Sequence, residues 1–255
     1  MNYKTFCMNK KIQYEEIVLT DPVINKIYRI VNPHKKQIIG VPDGCVDIQV
    51  FWKDGKIYAY VCGSFQKATV STTGTYEKCL GIKFNPGIRL KCFQGAMGEI
   101  IGNKIDLGCF LGNAAELCEL AAEDEDLKDK IPKIQYFLKN EKIGEQHMVV
   151  EYLFHAMLHK TRDTQIQELT QELCYSQRQV ERIFKEHTGF TIKKYEGILR
   201  MQQALHLIKQ ETVDQDMIYE NLGYYDQAHF IHEFKRYTMQ TPGNYVKNQG
   251  KIIIV

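Results

Sequence analysis

The sequence predicts an α+β protein of two domains, a β-rich, sensor-like N-terminal half followed by an all-α C-terminal half. Punctuation, local composition and an internal repeat support that expectation. Of 18 glycines and 6 prolines, 13 and 5 precede residue 146. Between them lie short runs rich in β-branched and aromatic residues, the composition of strands bounded by turns. Beyond residue 146 glycine thins out, apolar residues recur at helical spacing, and one stretch repeats after fifty residues.

The elements follow in order. Strands are expected over 37–41, 45–51, 57–61 and 78–84. Within the second, Val46-Asp47-Ile48-Gln49-Val50 alternates with period two, the mark of a half-buried strand. Asp54-Gly55 between two runs signals a tight hairpin. Pro42-Asp43-Gly44 reads as a turn entering a strand, and Cys45 has no histidine base beside it, so no catalytic residue is assigned there. Phe84-Asn85-Pro86-Gly87 is likewise a turn, because the glycine spacing of a phosphate-binding loop is missing. A helix opens at Asn113, a plausible N-cap. Residues 123–129 are an acidic, solvated connection, and a further helix over 133–140 belongs to a linker or dimer interface. The expected domains are therefore 1–122, a linker over 123–145, and 146–255.

Length, charge and cysteine usage exclude several classes. The 255 residues carry 33 Lys and Arg against 31 Asp and Glu, a net charge of +2, so no global basic field is present. No apolar run approaches the roughly 18 residues of a membrane helix, and the first residues lack a signal peptide's apolar core. A cytoplasmic location without a membrane partner is expected. The eight cysteines, at 7, 45, 62, 79, 92, 109, 118 and 174, form no C-x-x-C pair and no cluster. They read as small buried hydrophobes, with no metal site and no cofactor expected.

The repeat is the most specific signal. Tyr175, Gln177, Phe184, Lys185, Thr188, Thr191 and Tyr195 recur as Tyr225, Gln227, Phe234, Lys235, Thr238, Thr241 and Tyr245. Two copies are too few for a solenoid, so this is a duplicated supersecondary unit. In the first copy, residues 165–173 carry Ile166, Leu169 and Leu173 on one helical face. Cys174-Tyr175 breaks the pattern and Ser176 is a good N-cap for a second helix. That helix puts Val180, Ile183 and Phe184 inward and Arg178, Arg182 and Lys185 outward, with Glu181 beside them. Helix, short turn and a helix with one apolar and one basic face make a helix-turn-helix.

The second copy repeats the logic. Residues 216–222 form its first helix, Gly223-Tyr224 the turn, and Asp226 caps a helix through Tyr237 with Phe230, Phe234 and Tyr237 inward. Ala228, His232 and Lys235 stand where the first copy has Arg178, Arg182 and Lys185. One long helix over 192–210, with Ile198, Leu199, Leu205 and Ile208 among its apolar positions, joins the copies. Two units so joined reach successive major-groove segments about 34 Å apart.

At these residues the C-terminal part resembles a known family. Tyr175 to Lys185, Gly223 to Tyr237, and Thr241-Pro242 with Tyr245 make residues 146–247 similar to the DNA-binding domain of the AraC/XylS regulators, about 40% of the chain. The sequence departs from the family pattern at Thr170, Cys174, Ile192, Tyr219, His232 and Met239, the last replacing a usual glycine. The first half resembles a β-rich domain of unassigned role often joined to such regulators, through Pro42 to Ile48 and Leu80 to Gly87. The resemblance implies a sequence-specific transcription regulator, not an enzyme. It implies double-stranded DNA as partner, with RNA polymerase, a small-molecule effector and a second copy as further partners.

The expected DNA contacts are Gln177, Arg178, Glu181, Arg182 and Lys185 in the first unit, and Gln227, His232, Lys235 and Arg236 in the second. A guanidinium pairs bidentately with guanine, which makes Arg178 and Arg182 the leading base readers. Lys185, Lys235 and Arg236 suit phosphates better. Residues 146–251 hold 13 basic and 13 acidic residues. The basic ones must therefore be segregated on the reading face, with Glu168, Glu172, Glu211 and Asp214 elsewhere. Two other readings stay open: a redox or metal sensor using the N-terminal cysteines, and an enzyme built on the first half.

Overall fold

A computed structural model describes residues 2–7, 13–32, 38–71, 76–91, 93, 97–141, 144, 146–159, 175–209 and 215–247. Its N-terminal half is an antiparallel sheet in the order β1 (Asn2–Cys7), β2 (Gln13–Val18), β3 (Ile24–Val31), β8 (Lys78–Phe84), β5 (Asp47–Lys53), β6 (Lys56–Cys62) and β9 (Lys104–Asp106). A separate ribbon pairs β4 (Ile38–Gly40) with β7 (Thr69–Ser71). Asp54 and Gly55 both adopt positive φ, 51° and 73°, and close the β5–β6 hairpin expected there.

Register sorts the side chains of the large sheet onto two faces. Ile27, Leu80, Ile82, Ile48, Val50 and Val61 share one face and join a core completed by α1 (Ala114–Ala122) and α2 (Leu127–Asn140). The second helix begins earlier than the expected 133. Buried Leu127 and Ile131 hold its first turns against that core, and Pro132 lies within it. The acidic connection shrinks to 123–126. It is tied down by Lys133, which meets Glu123 at 2.6 Å and Glu125 at 2.7 Å, and by buried Lys130, whose ammonium donates to the carbonyls of Leu120 and Glu123.

The opposite face corrects one expectation. Alternation over 46–50 predicted a strand with a solvated polar side, yet Asp47 and Gln49 are each only 6% exposed. Tyr28, Lys83, Asp47, Gln49 and Cys62 line up across this face, and the ribbon places Ile38 in the cluster of Tyr14, Tyr28, Ile30, Phe51 and Cys79 packed there. A polar strand edge turned toward an enclosed space gives the same period as one turned toward water.

Burial answers that polarity with partners, as it must. Lys83 forms an ion pair with Asp43 and lies 3.9 Å from Asp47. The Tyr28 hydroxyl donates to Asp47 at 2.7 Å, and Gln49 Nε2 donates to the Tyr28 oxygen at 2.7 Å. Burial alone would raise the Asp43 carboxyl, but the Lys83 ammonium outweighs it and holds the group below its ordinary value. Asp47, more deeply placed, is raised chiefly by burial, with Lys83 opposing and Asp43 adding to the rise.

The cysteines on and beside this face are unsuited to thiolate chemistry. Burial pushes the Cys62 thiol up to about 12 and the Cys45 and Cys79 thiols well above their ordinary value, and only the thiolate is reactive. Cys109 is exposed. We therefore expect iodoacetamide at neutral pH to label Cys109 quickly and Cys45, Cys62 and Cys79 only after unfolding. Rapid labelling of the buried three in the folded chain, read by peptide mass mapping, would restore the redox alternative.

The C-terminal half is helical. It comprises α3 (Met148–His159), α4 (Gln177–Thr188), α5 (Ile192–Lys209), α6 (Gln215–Asn221), α7 (Gln227–Thr238) and α8 (Pro242–Lys247). Their shared core is centred on Phe154, Phe184, Tyr195, Met201, Phe234 and Tyr245. The helix expected over 165–173 lies outside the described residues. Those expected over 192–210, over 216–222 and from Asp226 through Tyr237 are present as α5, α6 and α7. No described helix is long and apolar enough to cross a membrane.

The two halves meet through loops of the first. Val41 enters the C-terminal core, the Tyr195 hydroxyl donates to the Gly44 carbonyl at 3.0 Å, and Gln202 Nε2 donates to the Pro42 carbonyl at 2.6 Å. Gly44 has a φ of +74°, and a methyl group there would overlap the Tyr195 ring. Both conformation and proximity require glycine at this point.

Candidate nucleic-acid interface

Each recognition helix starts on a side-chain cap. In α4 the Ser176 hydroxyl accepts from the Gln179 amide and the Gln179 side chain accepts from the Ser176 amide, a complete capping box. In α7 Asp226 accepts from the His229 amide at 2.7 Å. Val180, Ile183 and Phe184 bury one face of α4, while Phe230, Phe234 and Tyr237 bury one face of α7.

The repeat identities divide by role. Phe184 and Phe234 are fully buried, and Tyr195 and Tyr245 pack beside them. Thr188 and Thr238 each bond back to the carbonyl four residues earlier and accept the amide two residues on, turning the chain out of the helix. Thr191 and Thr241 cap α5 and α8 by accepting the amides of Lys194 and Asn244. Gln177 and Gln227, and Lys185 and Lys235, lie on the exposed surface of both helices. Nothing in the packing calls for their identity.

All nine expected contacts, Gln177, Arg178, Glu181, Arg182, Lys185, Gln227, His232, Lys235 and Arg236, are exposed side chains of α4 and α7, away from the buried stripes. On α4 two of them are paired along the helix. Gln177 Nε2 donates to Glu181 at 3.0 Å, and Arg182 binds both oxygens of Glu186 at 2.9 and 3.1 Å. The Arg182–Glu186 pair is well exposed, so water and salt weaken it and it yields easily to a stronger anion. Arg178 has no ion pair among the described residues. Tyr225, passed over as a contact, is 92% exposed immediately before α7. Its recurrence in the repeat at a site without packing could have flagged it. Glu168, Glu172, Glu211 and Asp214 lie outside the described residues.

The helix ends differ in one respect. Gly189 follows α4 with φ 77°, whereas Met239 follows α7 in the same left-handed region, φ 62°. A side chain there is strained, and Met239 is 48% exposed, so no packing compensates for it. Met239→Gly is expected to stabilise the protein by about 1 kcal/mol, read by thermal unfolding. A lower melting temperature would contradict this account of the α7 terminus.

Comparison with known proteins bears on this geometry. Residues 169–248 match the model of a helix-turn-helix domain family. This stretch is an AraC-type helix-turn-helix domain. An uncharacterised response regulatory protein of Staphylococcus epidermidis is 28% identical over 103 residues, 40% of this chain and 41% of that one. An uncharacterised HTH-type transcriptional regulator of Haemophilus influenzae is 31% identical over 86 residues, 34% of this chain and 29% of that one. The chain thus spans well under half the length of these curated relatives. The C-terminal domain of AraT, a response regulator from Geobacillus stearothermophilus, aligns with 42% of this chain and 88% of its own, at 21% identity and a TM-score of 0.38. The AraC-type domain accounts for the duplicated helices, and the sheet lies outside it.

Proposed function

We propose that the chain is a sequence-specific transcription regulator that responds to an effector bound by its N-terminal half. In this reading α4 and α7 enter successive major-groove segments. Gln177, Arg178, Glu181 and Arg182 read bases in the first, Gln227 and His232 in the second, and Lys185, Lys235 and Arg236 hold phosphates. The carrying observation is the pair of N-capped helices, each with a buried aromatic stripe and an exposed polar face, built from one repeated sequence. The regulatory half is the sheet with α1 and α2, and the DNA-reading half begins after residue 145.

Charge supports a modest affinity. Glu181 and Glu186 stand among the basic residues of α4, so the reading face neutralises fewer phosphates than its arginine and lysine content suggests. Sequence readout, not a basic field, then carries discrimination. Genome-wide footprinting of the bound protein tests the reading. Protected sites with two contacted groove segments one turn, about 34 Å, apart are expected. Protection scattered without a shared sequence would overturn it.

A further inference from the structure

The polar face of the sheet bounds a cavity of about 640 Å³, within the range of small-molecule sites. Its floor is Asp47, Gln49 and Lys83, and its rim is formed by three loops of the N-terminal half, 41–45, 63–70 and 101–104. Each rim loop also touches the DNA-reading half, and at a different helix. The first accepts hydrogen bonds from Tyr195 and Gln202 of α5. In the second, the Ala68 amide donates to the carbonyl of Arg236 in the last turn of α7. In the third, Ile101 packs against the C-terminal core, and with Gly98 it abuts Gly189 at the end of α4.

The charge in this cavity is unevenly satisfied. Asp43 and Asp47 both face Lys83. Lys104, on the wall, is a second cation. Its Nζ is buried with no hydrogen-bond partner among the described residues. It rests 4.0 Å from the Phe51 ring centre and 5.4 Å from that of Tyr76. The cysteines closest to it in charge, Cys62 and Cys79, are thiols held neutral by burial. A buried ammonium without an anion is costly to keep, and an aromatic face offsets only part of that cost.

We propose that this cavity binds a small organic carboxylate, with its carboxylate on Lys104 and its apolar part toward Val41, Phe65 and Val70, and that occupancy resets the placement of α4 and α7 through the three rim loops. The coupling half of the proposal rests on the DNA-binding reading above; the ligand half does not. An effector acts only by its different affinity for two arrangements, and a ligand touching all three loops senses their arrangement directly.

The test uses the full chain with benzoate and hexanoate as probes, and benzamide and hexanamide as uncharged controls, in differential scanning fluorimetry and calorimetry. Both carboxylates should raise the melting temperature with dose, and binding to the amides should be at least about tenfold weaker. Lys104→Met should itself fold, since it removes an unpaired buried charge, and should lose the carboxylate response; Lys104→Arg should keep it. No carboxylate-dependent shift in the wild type, or an undiminished shift in Lys104→Met, overturns the ligand assignment. For the coupling, Tyr195→Phe removes the hydroxyl held by Gly44. It should retain the thermal response to benzoate while losing the benzoate-induced change in affinity for a footprinted duplex. An unchanged affinity response in Tyr195→Phe overturns the route through that loop. Specific DNA binding is measured without any carboxylate, so its absence would defeat the regulator reading while leaving the carboxylate site standing.

Discussion

Arg178→Ala combined with Arg182→Ala is expected to lower affinity for a footprinted site by at least about 100-fold, because each bidentate guanidinium–guanine pair contributes on the order of 1–3 kcal/mol. Both side chains are exposed on α4, opposite Val180, Ile183 and Phe184. Their removal takes nothing from the core, so the far-ultraviolet circular dichroism spectrum should stay as it is. Arg182 gives up an exposed pair with Glu186, worth at most a few tenths of a kcal/mol on a helix surface. Binding to a scrambled duplex should fall much less. Equal losses on both duplexes would make the two arginines phosphate contacts instead of base readers.

Lys83→Met should destabilise the protein by about 3–5 kcal/mol, the range for removing one partner from a buried ion pair. Lys83 is 5% exposed, pairs with Asp43, and is the cation nearest Asp47. Its loss leaves two carboxylates facing each other in an enclosed space. Adding Asp43→Asn should recover part of the loss, because the two changes touch one network and cannot be additive. Thermal unfolding of the single and double variants reads this directly. A single variant as stable as the wild type would show that the polar face is wetter than its burial implies.

The double helix-turn-helix was legible in the sequence because its signals are local. Ser176 and Asp226 announce their helices three residues from the amides they cap. Thr188 and Thr238 act on their own turns, and the inward stripes follow from spacing alone. The polar interior was not legible in this way. Asp47 and Gln49 alternate with Ile48 and Val50 as they would on a solvated strand. What encloses them comes from far along the chain, with Lys83 from β8, Lys104 from β9 and the ribbon over the opening. The contact between halves is more remote still, since Tyr195 reaches Gly44 across 151 positions. Pro42-Asp43-Gly44 reads correctly as a turn, but its role as the seat of α5 depends on packing that no short window contains.

The reading of the AraC-type domain rests on discrimination between DNA sequences, and one measurement addresses it without intermediaries. The affinity of the full chain is measured for a footprinted duplex and for a scrambled duplex of the same composition, both at 0.15 M salt. A sequence-reading pair of recognition helices predicts a ratio of at least about 1,000 in favour of the footprinted site. A ratio near one would contradict the assignment of α4 and α7 as readers of DNA sequence.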